Sequence, residues 1–376
     1  MASLRDKLKA YGTKPEKPKT APPPAEYYRA VDRSPREDYG LPDCLDTGLI
    51  NDLSGLTIPE NLPLESLLFL DTETTGLSGG AGTIAFLTGM GWFEGNEFIV
   101  EQDLMRDYPE EGAMLSRVLE LVDRASLLVT FNGRTFDLPL LESRFTMNGQ
   151  RVPITRKPHL DLLHPARAVF KLRLQRCRLV NLEEAVLGIV REDDLPGAEV
   201  PTAWFDYLKT GNFALVDRIL EHNVQDIRSM PMILSRLMAM YKQPLTEPHQ
   251  EDIYSIGRTL ERRGQTERAR KCYHAADKGS MSKLARLRLA ESYRRETDYA
   301  ASAGIYERML HEGQANVEVL VRLAILYEHR LGRPDEALRL TRRALLLSDD
   351  PIELEELNKR YQRLKKKIER TDEPWD

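Results

Sequence analysis

Asp71 and Glu73 lie two residues apart in SLLFLDTETTGL (66–77). The run SLLFLDTE (66–73) has the length of a buried strand, and a strand sends alternate side chains to one face. Both carboxylates therefore project the same way, roughly 7 Å apart. Like charges so placed repel each other, and a divalent cation is the usual means of neutralising them. A third acid, Asp137, follows an aromatic residue in FNGRTFDLPLL (131–141), where Asn132 and Gly133 close an apolar run and a helical pattern begins. Taken alone, an acid there serves as a helix cap or first-turn residue. In EHNVQDIRSM (221–230), His222 and Asp226 are four apart and share one face of a helix. Four carboxylates are hard oxygen ligands suited to Mg2+ or Mn2+ rather than to a thiolate-seeking ion. Two such cations side by side are suited to hydrolysing a phosphodiester, whose negative charge repels hydroxide. A histidine beside them can take the proton of the attacking water near neutral pH.

The elements that would hold these groups can be read from apolar spacing. TIAFLTGMGWFEG (83–95) and NEFIVEQDLM (96–105) read as a hairpin turning at Glu94-Gly95-Asn96. PEEGAMLSRVLELVDRA (109–125) has helical spacing with Pro109 in its first turn. SLLVTFN (126–132) is a further buried strand, and TFDLPLLESRFTMNG (135–149) a short helix ending at Asn148-Gly149. HLDLLHPARAVF, LVNLEEAVLG and residues 213–241 read as helices. A hairpin followed by strands alternating with helices predicts a mixed sheet flanked by helices.

The order D-x-E, then N-x3-FD, then H-x3-D resembles the DEDD family of 3′–5′ exonucleases over about residues 64–242. FNGRTFDLPLL and KLRLQRCRLVNLEEAVLGI (171–189) are similar to the proofreading domain of family-B DNA polymerases. This resemblance implies an α/β ribonuclease-H-like fold. It also implies that Asp71, Glu73, Asp137 and Asp226 are ligands of two Mg2+ or Mn2+ ions, with Asp71 bridging them. Thr74, Thr75 and Gly76 would approach the terminal nucleotide, Leu77 would wedge against its base, and Asn132 would hold the substrate backbone. The family places a tyrosine four residues before the last aspartate or a histidine five before it. Here His222 puts histidine chemistry at the tyrosine spacing, as a water-activating group.

After about residue 248 the strand patterns stop. Three segments, at 256–276, about 289–310 and 323–345, superimpose with a period near 34 and two helices per unit. Leu260, Tyr293 and Tyr327 align, as do Tyr273, Tyr306 and Thr341, and Gly264 and Gly332 mark turns. This pattern, with GRPDEAL (332–338), resembles tetratricopeptide repeats, and residues 353–370 read as a capping helix. Stacked helix pairs form a concave surface for a protein partner. The combination of the two parts resembles the bacterial YprB-like family. The expected boundaries are a Pro- and charge-rich tail or linker at 1–60, the exonuclease-like domain at 61–245, and the repeats with their cap at 249–376. A rival for the first segment is a strap over the domain anchored by Tyr27 and Tyr28.

Several other features yield to simpler accounts. The glycines of GLSGGAGTIAFLTGMG lack the P-loop pattern and read as hairpin punctuation. Asp161 and His164 could extend the site, but a helix cap accounts for them. Arg167, Lys171, Arg173, Arg176 and Arg178 form a basic run that either tracks phosphates or is a solvated face, and the basic end at 363–370 is open to the same two accounts.

Composition bounds the rest. With 376 residues, 41% hydrophobic and 30% charged, disorder throughout is excluded. No stretch approaches 18 apolar residues, so no transmembrane helix is expected, and the charged N-terminus lacks a secretory core. Cys44, Cys177 and Cys272 form no CxxC pair, and a reducing cytoplasm fits them. Net charge is −5, with the acidic excess before residue 251 and a small basic excess after it. The leading expectation is a metal-dependent 3′–5′ exonuclease acting on single-stranded DNA or RNA, with no membrane partner. Two rivals stand beside it: a catalytically weak scaffold on a nuclease fold, and a hybrid-cutting endonuclease, which the D-x-E pair on one strand disfavours.

Overall fold

The computed structural model describes residues 27–58, 62–76 and 82–371. Among these residues one mixed sheet contains β1 (Tyr28–Pro35), β2 (Leu67–Thr74), β3 (Ala85–Glu94), β4 (Glu97–Leu104), β5 (Leu127–Thr130) and β6 (His159–Asp161). Their order is β1-β4-β3-β2-β5-β6. Pairs from β1 to β2 are antiparallel, while β2–β5 and β5–β6 are parallel. The β3–β4 hairpin turns at Gly95, in the left-handed region at φ 56°. Parallel neighbours need crossovers, and α2 (Glu111–Arg124) and α3 (Asp137–Met147) supply them on one face, after α1 (Thr47–Ser54) earlier in the chain. α4 (Leu163–Leu174), α5 (Val200–Thr210) and the long α6 (Ala214–Lys242) follow, and α6 packs across β2, β3 and β4.

Alternation along β2 divides the core. Leu68 and Leu70 join Leu115 and Val118 of α2 and Leu141 and Phe145 of α3. Leu67 and Phe69 face the other side, with Ile227 and Met230 of α6. The same alternation points Asp71 and Glu73 toward α6 and Thr72 toward α3.

Three elements depart from the sequence expectations. Residues 28–58 were expected within a tail, but 28–35 form β1, which covers the edge of β4 with Arg29 opposite Asp103 at 2.8 Å. As an edge strand, β1 half-buries only alternate residues and so has no continuous apolar run. The Tyr28 ring lies 5.0 Å from Phe213, an anchor that the strap reading foresaw. His159–Asp161, expected within a helix, form β6: three residues are too few to carry a period. Gly89 and Gly91 stand inside β3 rather than at a turn.

The remaining helices are α7 (Gln250–Arg262), α8 (Thr266–Ala275), α9 (Ser282–Arg295), α10 (Tyr299–His311), α11 (Val317–His329), α12 (Pro334–Leu345) and α13 (Pro351–Thr371). They stack as antiparallel pairs, with α13 on α12. Tyr273, Tyr306 and Thr341 are fully buried at equivalent places. The array docks on the sheet domain through α7 against α4, where Arg173 meets the buried Asp252 at 2.8 Å. A second tie joins Arg268 to Asp52 of α1, also at 2.8 Å. One apolar cluster runs from Phe69 and Tyr241 through Ile50 of α1 to Leu260 and Tyr273.

Gly264 and Gly332 sit in the turns α7–α8 and α11–α12 with φ of 75° and 64°. The α9–α10 turn carries Thr297 at φ 64° instead, a conformation that costs a β-branched residue roughly 1–2 kcal/mol. Thr297 is exposed, so few contacts offset that cost. Thr297→Gly should therefore stabilise the protein by about 1 kcal/mol, read as a higher urea midpoint; an unchanged or lower midpoint refutes the strain.

Candidate active site

The acids converge at the end of β2. Glu73 Oε1 lies 3.8 Å from His222 Nε2, and Asp226 Oδ2 lies 3.6 Å from the same nitrogen. One ligand atom from each of these three residues falls within 4.8 Å of the others, so together they could hold a metal ion. Asp71 joins from the same strand face, and Asp137 begins α3 with its carboxylate accepting the Thr72 hydroxyl hydrogen bond. All five residues expected at the chemistry, Asp71, Glu73, Asp137, His222 and Asp226, are thus gathered from β2, α3 and α6.

Their electrostatics match an anion-rich pocket. Burial, and then the charges of Asp137, Asp226 and Glu73, push the Asp71 carboxyl well above the usual carboxylate range. Burial, and then Asp226 and Asp137, do the same to Glu73. Burial pushes Asp137 up to about 6 against the Thr72 hydrogen bond. Asp226 is raised by burial, with Arg191 opposing. Ionised together, these groups repel, which a bound divalent cation relieves. The donor set, carboxylate oxygens with one imidazole, fits Mg2+ or Mn2+.

Several residues that hold this arrangement were not legible in the motifs. Asn223 is fully buried; its amide donates to Asp71 Oδ2 at 2.9 Å, and its Oδ1 accepts from Gln102 Nε2 at 2.9 Å. Asp71, Gly89 and Gln102 are register partners across β2, β3 and β4. A Cβ on Gly89 would collide with the Asn223 side chain, so the glycine admits α6 to the sheet.

The segment after α4 supplies a second support. Leu179–Leu182 form a helical turn that continues as a π-helical turn over Glu183–Leu187. Glu183 is fully buried and binds Arg191 in a two-pronged pair at 2.6 and 2.7 Å. The Arg191 guanidinium also pairs with Asp226 Oδ1. Asp194 Oδ1 lies 2.7 Å from His222 Nδ1. Arg191 Nη1 lies 3.3 Å from the same nitrogen, and Nε2 faces Glu73 and Asp226. The sequence signal was REDD (191–194), a charged cluster that gives no hint of what it faces.

The expected substrate residues divide. Thr74 Oγ1 donates to the Gly76 carbonyl at 2.9 Å, and Thr75 Oγ1 accepts from the Ile84 amide at 3.1 Å, so both hydroxyls close the β2–β3 loop. Leu77 lies outside the described residues. Asn132 is exposed at φ 74°, just after β5. Asp161 accepts the amides of Asn132, Arg134 and Leu163 at 2.8, 3.1 and 3.0 Å, which includes the helix-cap role and ties the 132–134 loop to α4. In the basic run, Arg173 is bound to Asp252, while Arg167, Lys171, Arg176 and Arg178 are exposed.

Gly89→Ala should cost about 1–3 kcal/mol through overpacking, measured by denaturant unfolding. Asn223→Ala in the same chain should recover part of that loss, since it empties the contested space. Strictly additive losses would rule out this use of the glycine.

The RNase_H superfamily profile matches residues 68–238. A tetratricopeptide repeat profile matches residues 319–353, covering α11 and α12. The family B DNA polymerase of the hyperthermophilic archaeon Pyrobaculum calidifontis is 13% identical at a TM-score of 0.37, over 63% of this chain and 34% of that one. That likeness adds nothing to the fold assignment. "Uncharacterized protein YprB" of Bacillus subtilis (strain 168) is 31% identical over 334 residues, 85% of this chain and 78% of the relative. By that extent of identity the chain belongs to the YprB family, with an RNase H-like domain followed by tetratricopeptide helices.

Proposed function

We propose that this protein is a metal-dependent 3′–5′ exonuclease of DEDD type, acting on single-stranded DNA or RNA. The observation that carries the reading is the gathering of Glu73, His222 and Asp226 around one point, with Asp71 on the same strand face and Asp137 at the adjoining helix start. Retaining mutually repelling acids at a buried strand end is costly unless a cation uses them.

Asp71, Glu73, Asp137 and Asp226 would hold two Mg2+ or Mn2+ ions. When bound, the ions supply Lewis-acid stabilisation of charge on the phosphodiester oxygens. His222 takes the proton of the attacking water at Nε2, and Asp194 keeps the ring oriented through Nδ1. Arg191 neutralises the outer oxygen of Asp226 and leaves Oδ2 on the site side. The backbone at Thr74, Thr75 and Gly76 would line the approach of the terminal nucleotide, with Asn132 on the substrate backbone. The helical repeats would recruit a protein partner.

A second reading is a scaffold with a weak or inactive site. Arg191 favours it, because a guanidinium already offsets part of the Asp226 charge without any metal.

Oligonucleotides labelled at the 3′ or 5′ end, with Mg2+, Mn2+ or EDTA, test the two. We expect a cation-dependent ladder from the 3′ end, absent in Asp71→Asn/Asp226→Asn, and a rise in melting temperature with Mn2+ that the same variant loses. No cleavage together with no cation-induced rise establishes the scaffold. His222→Ala should lower kcat by about 10²-fold or more with KM nearly unchanged; equal losses in kcat and affinity remove its water-activating role.

A further inference from the structure

Two strands across from the acids, a cavity of about 340 Å³ opens where the sheet domain meets the first repeat helix. Its walls come from the start of α4, the loop after β5, the end of α1 and the end of α7. The charged and titratable groups facing it are Arg134, His159, Asp161, His164, Arg262 and Arg263. The single acid, Asp161, is occupied by three backbone amides. Among the described residues, none of the three arginines has a carboxylate partner. Arg262 donates to the Thr259 hydroxyl at 3.2 Å, and Arg263 reaches the Asp52 carbonyl at 3.4 Å. Neighbouring arginines of the repeats behave otherwise: Arg268, Arg270 and Arg286 are each paired with acids. Gly55 ends α1 at φ 74° and has no Cβ, which lets the Arg263 guanidinium lie over that helix end. Arg134 also borders a second cavity, with Arg156 and Lys157.

The position is as informative as the charge. β2, β5 and β6 are parallel, and Asp161 stands beside Thr130 at the sheet end where Asp71 emerges. Strand spacing places the end of β6 roughly 10 Å from β2, within reach of the phosphates next to the one held at the acids. A chain entering an anionic cleavage site needs cationic contacts just outside it, and unpaired guanidiniums supply them.

We infer that this junctional cavity is a phosphate-binding subsite for a single nucleic-acid strand, so that the end of the first repeat helix is part of the substrate surface. The inference rests on the nuclease reading for the identity of its occupant.

The test is fluorescence anisotropy with labelled 12-nucleotide DNA and RNA strands, on the full chain carrying Asp71→Asn, at 50–200 mM NaCl. Arg262→Glu/Arg263→Glu should weaken binding at least tenfold at the lowest salt and flatten the slope of log affinity against log salt by about 1. Arg339→Glu/Arg342→Glu, the same charge change on the exposed face of α12, should do neither. A fall with both polymers assigns the shared phosphate backbone, and a fall with one names it as the occupant. Unchanged affinity, as for a surface that serves an acidic protein segment, overturns the inference, and so does an equal loss in the α12 control. If the double variant loses cooperative melting, Arg134→Gln, at an exposed side chain, is read in its place. Strand binding that depends on Arg262 and Arg263 without cleavage under any cation would sink the nuclease reading alone. Cation-dependent cleavage with affinity indifferent to these arginines would sink the subsite alone.

Discussion

Mutual repulsion among buried and half-buried carboxylates is the constraint around which this molecule is arranged. Asp71, Glu73, Asp137 and Asp226 each have their ionised form disfavoured by burial, and Asp71 and Glu73 further by the charges of Asp137 and Asp226. The surrounding structure answers with donors rather than with apolar cover. Asn223 hydrogen bonds Asp71, Thr72 hydrogen bonds Asp137, and Arg191 pairs with Asp226. Two of these donors depend on a further layer: Gln102 and Gly89 for Asn223, and Glu183 for Arg191. The candidate site is therefore braced from both sheet faces.

The repeats are not an independent appendage. Buried Asp252 draws Arg173 of α4 to α7, Asp52 draws Arg268 to α1, and the apolar cluster is continuous across the junction. Breaking a buried pair by removing one partner leaves an uncompensated charge, so these ties also fix orientation. That fixed orientation sets the basic end of α7 beside the loop that follows β5.

The fold class and the five candidate site residues were legible because each sits in a local pattern, and the resemblance to DEDD exonucleases joined those patterns into one site. A strand of apolar residues ending in D-x-E, a helix start at Asp137 and an i, i+4 pair on α6 need no distant information. The repeat period was legible for the same reason, down to Tyr273, Tyr306 and Thr341 in matching buried places. β1 was not legible, because an edge strand with one packed face carries a polar alternation and owes its order to β4. β6 was too short to show a period. Gly89 was read as punctuation, since nothing near it in sequence reveals that a helix more than a hundred residues later presses on that strand.

By itself the sequence determined which side chains could do chemistry, the face of β2 on which Asp71 and Glu73 lie, and the helical period after residue 248. These follow from backbone periodicity, which operates over a few residues. Only the tertiary structure decided that Asn223 reaches Asp71, that Arg191 and Asp194 close on Asp226 and His222, and that the arginines of α7 face the sheet domain. Those contacts join residues 28 to 152 positions apart or cross between packed layers. They exist because burial leaves each polar group to find a partner within reach, wherever in the chain it lies.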